Sequence, residues 1–160
     1  MMTEAGPALG IGDAFPEFSL ERPEGGFVSK ADLAGRKAVL FFYPKDDTPG
    51  CTTEALEFSA ALPRFADAGI AVLGISKDPP AKHRRFIAKH GLTVDLASDV
   101  DDGVSDTLGI WTEKRNYGRT YMGMVRTTYL LDEGGIILRV WPKVRVKGHV
   151  DEVLTAASAA

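Results

Sequence analysis

The chain contains one cysteine, Cys51, in the stretch YPKDDTPGCTTE, and the residues in front of it decide what that thiol can do. Thr48 is a good helix N-cap residue, Pro49 suits the first helical position, and Cys51 then falls within the first turn. At such a terminus the free backbone N–H groups and the positive end of the helix dipole stabilise a thiolate, lowering a thiol pKa from about 8.5 toward neutrality or below. The chemistry expected of Cys51 is therefore nucleophilic. The competing reading is a small buried hydrophobe, which suits free cysteines in general. It gives no reason for a place at a helix N-terminus, on a loop leaving a buried strand, where ligands bind in open α/β sheets.

A thiol held this way needs a strand before it and a helix after it. Residues 38–43, AVLFFY, are apolar at every position and predict a strand buried on both faces. Ala55, Phe58, Leu62 and Phe65 then recur at helical spacing as far as Gly69, with a kink expected at Pro63. Residues 70–76, IAVLGIS, read as a second buried strand, which makes a βαβ unit with a parallel pair. Upstream, FSL and FVS around ERPEGG predict an N-terminal β-hairpin. Downstream come a helix over AKHRRFIAKH stopped by Gly91, a short strand near VDLAS and a short helix near DDGVSDTLG. Strands RTTYLLD and IILRVWP around the turn EGG, and a closing helix HVDEVLTAASAA, complete the order ββαβαβαββα. That order predicts an α/β chain with a central mixed sheet flanked by helices, a thioredoxin-like topology in a single domain over residues 1–160.

The 160 residues carry a formal charge of −3 with no basic stripe, which argues against nucleic-acid or anionic-membrane partners. No apolar run approaches the roughly 20 residues of a membrane-spanning helix, and the N-terminal MMTEAGPALGIGD lacks the basic and apolar regions of a secretory signal. With one cysteine and therefore no intramolecular disulfide, the expectation is a cytoplasmic protein. His83, His90 and His149 show no paired metal-ligand spacing and lie in polar helical stretches, so they read as solvated surface residues, and neither metal nor cofactor is expected. Phe42, Tyr43 and Trp111 read as core aromatics within reach of a pocket.

Pro44, Thr48 and Cys51 in PKDDTPGC match the P-x-x-x-T-x-x-C signature of peroxiredoxins, and YPKDDTPGCTTE resembles the bacterioferritin-comigratory, or Q-type, branch. The resemblance extends through VLGISKD, LASD, LGIWTEK, YGRTYMG and RTTYLLDEGG, where Arg126 matches the family's active-site arginine. It implies a thiol-dependent peroxidase in which Cys51 attacks hydrogen peroxide or an organic hydroperoxide and becomes a sulfenic acid. Arg126 would stabilise the thiolate and polarise the peroxide oxygens. Thr48 would cap the helix and bond to the bound peroxide, and Pro44 would shield the thiolate from water. Glu54 also fits the family, or serves simply as an acidic group in the first turn.

The sequence departs from many Q-type relatives in lacking a resolving cysteine. Leu56 stands five residues beyond Cys51, and Ser105 occupies the short helix where other relatives place one. If a natural cysteine had been replaced, Ser105 is the first position to consider. The resemblance then implies a one-cysteine enzyme reduced by an external thiol: thioredoxin, a glutaredoxin system or a low-molecular-weight thiol. A monomer is expected, with a dimer as the other state. Rival thiol chemistries fit poorly, since Glu57 stands where a cysteine phosphatase needs arginine, and Glu54 stands where a C-x-x-C reductase needs its second cysteine. The alternative from another class is a non-enzymatic binding or chaperone module on the same fold, which predicts an unreactive Cys51.

Overall fold

The computed structural model describes residues 7–160. The chain begins with the ribbon β1 (Ser19–Glu21) and β2 (Phe27–Ser29), followed by a one-turn helix α1 (Lys30–Leu33). Ser29 and Asp32 close the start of α1 in a capping box, each side chain accepting the other's backbone N–H. Then come β3 (Lys37–Phe42), α2 (Pro49–Asp67), β4 (Ile70–Ser76), α3 (Pro80–His90), β5 (Asp95–Ser98) and α4 (Val104–Thr107). A hairpin of β6 (Trp111–Asn116) and β7 (Arg119–Met124) leads to β8 (Thr127–Leu131), β9 (Ile137–Trp141) and the closing helix α5 (His149–Ala159).

Seven strands form one sheet in the order β2-β1-β5-β4-β3-β8-β9. Its centre is parallel, β3 against β4 and β4 against β5, while β8, β9 and the N-terminal ribbon join antiparallel. Alternation along β3 divides the core: Val39 and Phe41 face one layer, and Ala38, Leu40 and Phe42 face the other. The first layer holds α2 and α5 against the sheet through Phe58, Phe65, Val150 and Val153, with Phe86 of α3. The second is built from Phe15, Leu20, Leu33, Val104 and Leu108. The mixed sheet, its flanking helices and the N-terminal hairpin agree with the sequence expectation.

Three features differ from it or refine it. The hairpin β6–β7 was not foreseen, because WTEKRN and RTYMGM lie largely exposed outside the main sheet and show no one-sided apolar alternation. Its signal was the turn: Tyr117 and Gly118 both take positive φ, 51° and 75°, as a two-residue type I′ turn requires. Helix α1 is a single turn, too short for periodicity to reveal. Helix α2 runs through Pro63 to Asp67, in keeping with the stop expected at Gly69. Proline denies the Ser59 carbonyl its usual helical N–H, and the Thr93 hydroxyl donates to that oxygen instead, at 3.3 Å.

The contact that seats α2 on the sheet is Phe41 stacked on Phe58, ring centroids 4.3 Å apart. It depends on Gly74 of β4, where a Cβ would come within 2.5 Å of Phe41 Cζ and 2.8 Å of Leu96 Cδ2. Gly74→Ala should accordingly cost about 1–3 kcal/mol, the usual cost of overpacking. Urea denaturation would read it as a lower midpoint at unchanged slope, and a wild-type midpoint would show that the layer has slack.

Candidate active site

The loop between β3 and α2 folds so that the helix starts two residues before Cys51. Tyr43 and Pro44 leave the strand, Asp47 turns the chain at φ 62°, and Thr48 takes the extended conformation of an N-cap. Pro49 and Gly50 fill the first two helical positions, so Cys51 is the third. The expected side-chain cap is absent: the Thr48 hydroxyl donates to the Lys45 carbonyl at 2.8 Å, and only the Thr48 backbone carbonyl engages the helix, accepting from Thr52 N–H. The tight turn over residues 45–48 brings that carbonyl closer to hand than the helix amides. As a result the N–H groups of Gly50 and Cys51, unpaired by helix geometry, have no acceptor among the described residues.

Cys51 is 2 % exposed, and a guanidinium meets it from across the sheet. Arg126, immediately before β8, places Nη2 3.3 Å from Cys51 Sγ and Nη1 2.5 Å from Glu54 Oε1. Its backbone is fixed by Val144 N–H, which donates to the Arg126 carbonyl. Gly50 leaves room for this approach, since a Cβ there would lie 3.3 Å from Arg126 Nη2, a tight contact that would shift the guanidinium by a few tenths of an ångström. One planar fork thus bridges the sulfur and the acid one helical turn beyond it, a geometry that a lysine ammonium does not reproduce.

The electrostatics follow from burial. Glu54 is fully buried, and its Oε2 has no partner among the described residues. Desolvation raises its carboxyl from an ordinary 4.5 to about 7, although Arg126 pulls the other way. Arg126 is raised further above its ordinary value: burial opposes this, but Glu54 and the Cys51 sulfur outweigh it. Lys114 on β6 is lowered, first by burial and then by Arg126, with Cys51 opposing; its Nζ donates to the Met124 carbonyl.

The structure brings Cys51 and Arg126 into contact and sets Thr48 at the N-cap. Pro44 stands half-buried at the start of the loop. Glu54 is no mere first-turn charge, since it is sealed against Arg126. Of the aromatics, Tyr43 shares the core layer of Cys51, as do Phe41 and Phe58, while Phe42 and Trp111 belong to the opposite layer. The reading of all three histidines as solvated does not hold. His83 is 0 % exposed, and His149 is buried edge-on to Phe58 and Trp141, its pKa pushed down to about 4 by burial. His90 is half-buried against Asp47. The spacing His83, Phe86, Ile87, His90 marks one face of α3 and would have signalled this, but the flanking Lys and Arg residues masked it. Leu56 is exposed on α2, and Ser105 is fully buried in α4, its N–H bonded to Asp99 and its Oγ without a partner among the described residues.

The AhpC/TSA family profile matches residues 11–140. The chain is 46% identical over 147 residues to a Coxiella burnetii protein named putative peroxiredoxin bcp, covering 92% of this chain and 97% of that one. It is 40% identical over 144 residues to peroxiredoxin Bcp of Bacillus subtilis, covering 90% and 92%. Among solved structures, peroxiredoxin Q of Xanthomonas campestris, 42% identical, superposes with a TM-score of 0.83 over 88% of this chain and 89% of that one. A structure of the bacterioferritin comigratory protein of the same organism, described for its alkyl peroxide reduction activity, is 41% identical with a TM-score of 0.83, covering 88% and 90%.

The raised Glu54 carboxyl makes stability depend on pH. Between about 4.5 and 7 the folded state holds a proton on Glu54 that the unfolded state has released, so stability falls as pH rises through that window. His149, lowered to about 4, acts with the opposite sign up to its ordinary 6.5. The difference between wild type and Glu54→Gln cancels the histidine. From pH 5 to pH 8 in denaturant titrations, wild type should lose stability relative to Glu54→Gln. Parallel pH profiles would show that Glu54 is ionised throughout.

Proposed function

This chain belongs to the AhpC/TSA family, among the Bcp or Q-type peroxiredoxins, and we propose on that premise that Cys51 is the peroxidatic cysteine of a thiol-dependent peroxidase. The observation that carries the reading is the 3.3 Å contact between Arg126 Nη2 and Cys51 Sγ at the N-terminus of α2. In the reaction, the Cys51 thiolate attacks one oxygen of a hydroperoxide, forming an S–O bond as the O–O bond breaks. Sulfur is oxidised by two electrons, and the peroxide leaves as water or an alcohol once the departing oxygen takes up a proton. Negative charge moves from sulfur to the two oxygens, and the groups aimed at that path are the Arg126 guanidinium and the N–H groups of Gly50 and Cys51.

Glu54 keeps the far arm of the guanidinium engaged, so that the near arm faces the sulfur. Thr48, with its hydroxyl committed to Lys45 in the described state, would need to rotate to bond the peroxide. Pro44 covers the loop entrance. Peroxide is the substrate and a thiol the reductant. With no second cysteine in the chain, an external thiol attacks the sulfenic sulfur, releases water and leaves a mixed disulfide. A second thiol, from the same or another reductant molecule, then frees Cys51. Thioredoxin, a glutaredoxin system and low-molecular-weight thiols all meet that chemistry, and a reducing cytoplasm would keep them available. Among the described residues, no helix is long and apolar enough to cross a membrane.

Cys51→Ser should abolish thiol-dependent peroxide consumption while leaving the circular dichroism unchanged, because the nucleophile is lost and its replacement is nearly isosteric. Residual turnover near wild type would sink the assignment. Arg126→Lys should slow the oxidation step on the order of a hundredfold, the loss typical of one transition-state donor. Stopped-flow measurement of Cys51 oxidation reads it directly.

Resolution has its own signature. Stepwise peroxide without reductant should add one oxygen and then a second and third, as sulfenic acid passes to sulfinic and sulfonic acid. Intact mass spectrometry would follow each step. Peroxide consumption with no trappable sulfenate, no mixed disulfide and no added oxygen would exclude the one-cysteine cycle.

A further inference from the structure

The two aspartates of PKDDTPGC are held from outside the site, chiefly by α3. Asp46 is 2 % exposed and His83 is 0 % exposed, with Asp46 Oδ2 2.6 Å from His83 Nδ1. The other ring nitrogen, Nε2, lies 3.0 Å from the Ala97 carbonyl of β5. Asp46 Oδ1 accepts from the Tyr43 hydroxyl at 2.6 Å, and the Asp46 N–H donates to Asp78 Oδ2 at 2.8 Å. Asp78 also accepts from Ser76 Oγ and pairs with Lys82. The next loop residue, Asp47, accepts from Lys89 Nζ and from His90 Nε2, both at 2.8 Å. Asp46, Asp78 and His83 form a metal-type cluster by composition. Its inward atoms are spent on one another, however, so it is a closed hydrogen-bonded network.

We propose that His83 is a positioning residue for the peroxidatic reaction, acting as a strut that ties the Pro44–Cys51 loop to α3 through Asp46. The carbonyl of Ala97 can only accept, so Nε2 carries a proton. With Nε2 committed to Ala97, the 2.6 Å contact between Nδ1 and Asp46 Oδ2 is a hydrogen bond with a proton between the two atoms. The buried Asp46 side chain is therefore held at one oxygen by the imidazole and at the other by the Tyr43 hydroxyl. Asp46 sits two residues before Thr48, inside the turn that sets where α2 begins and where the Gly50 and Cys51 N–H groups point. Arg126 arrives from a different element, so the Sγ–guanidinium distance depends on how the loop is seated. A displacement of about 1 Å at such a site costs on the order of a hundredfold in rate.

The kinetic part of this inference rests on the peroxidase reading, whereas the structural part does not. His83→Gln keeps a donor where Nε2 stands and leaves Asp46 Oδ2 without its partner, while Oδ1 keeps the Tyr43 hydroxyl. His83→Asn keeps a donor where Nδ1 stands and gives up only the reach to Ala97. The strut predicts that Cys51 oxidation falls at least about tenfold in His83→Gln, with faster amide exchange over residues 45–51, and stays within about threefold of wild type in His83→Asn. Equal losses in the two variants, or wild-type oxidation and exchange in His83→Gln, would overturn it. Should His83→Gln fail to fold, Asp46→Asn gives the same two readouts, and a wild-type result there overturns the strut equally. If the wild-type protein proves inert to peroxide, iodoacetamide alkylation of Cys51 replaces oxidation. Loop exchange that still responds to His83→Gln would then uphold the brace while the peroxidase reading fails.

Discussion

A guanidinium shared between a buried sulfur and a buried carboxyl is the constraint around which this fold is arranged. Arg126 cannot lose its charge, and its fork has one arm on Glu54 and one on Cys51. With one cation and two acidic partners, the charge state of the second acid decides how much field the sulfur receives. A protonated Glu54 still accepts from Nη1 through its carbonyl oxygen and leaves the positive charge to the thiolate. An ionised Glu54 competes for it, in a place where burial already disfavours a second anion. The cost of sealing an acid at 0 % exposure is thus coupled to a less neutralised guanidinium beside the Cys51 sulfur.

Three separate chain segments must meet for that geometry to exist, and small residues at two positions allow it. Gly74 lets Phe41 lie flat beneath Phe58, which seats α2 at a fixed height on the sheet, and Gly50 lets the guanidinium slide past the first turn. The register of β3 against β8, with Phe42 opposite Thr127, then brings the residue before Thr127 to the end of the sheet where α2 begins. The site lies at the carboxyl ends of parallel strands, where loops converge and the field of a helix N-terminus is available. A rigid scaffold supplies the positions, and the loop delivers the sulfur to them.

Much of this was legible in the sequence because its signals are local. The unbroken apolar run of β3, the helical stripe of Ala55, Phe58 and Phe65, and the Thr-Pro pair before Cys51 each specify structure over a few residues. The contact of Arg126 with Cys51 spans 75 residues, and only the family resemblance placed it. What was missed is non-local or two-sided. Thr48 has the composition of a cap, yet its hydroxyl chose the Lys45 carbonyl because a turn residue with positive φ brought that acceptor within reach. His83 lies in a run of cations, and only the tertiary placement of Asp46 makes burial tolerable. The β6–β7 ribbon has two exposed faces, so no hydrophobic period records it.

The single thiol makes burial consequential at the second half of the cycle. A hydroperoxide is small enough to reach a sulfur at 2 % exposure, whereas an attacking thiol must approach that sulfur in line with the bond it breaks and bring a carbon chain with it. Either the first turn of α2 opens or the reductant inserts beside Arg126, and the fastenings of the loop bear on which is easier. The Asp47 contacts with Lys89 and His90 lie near the surface, where ion pairs contribute little. Asp46 is pinned in the interior by Tyr43, His83 and the Asp78 carboxylate. An opening that begins at Gly50 and Cys51 would break the Arg126 contact and the bond from the Thr53 hydroxyl to the Pro49 carbonyl, and on the proposed mechanism the Arg126 contact weakens once the sulfur has lost its negative charge to oxidation. On the proposed peroxidatic role of Cys51, the interaction that favours the thiolate is thus weaker at the stage when a larger partner has to enter.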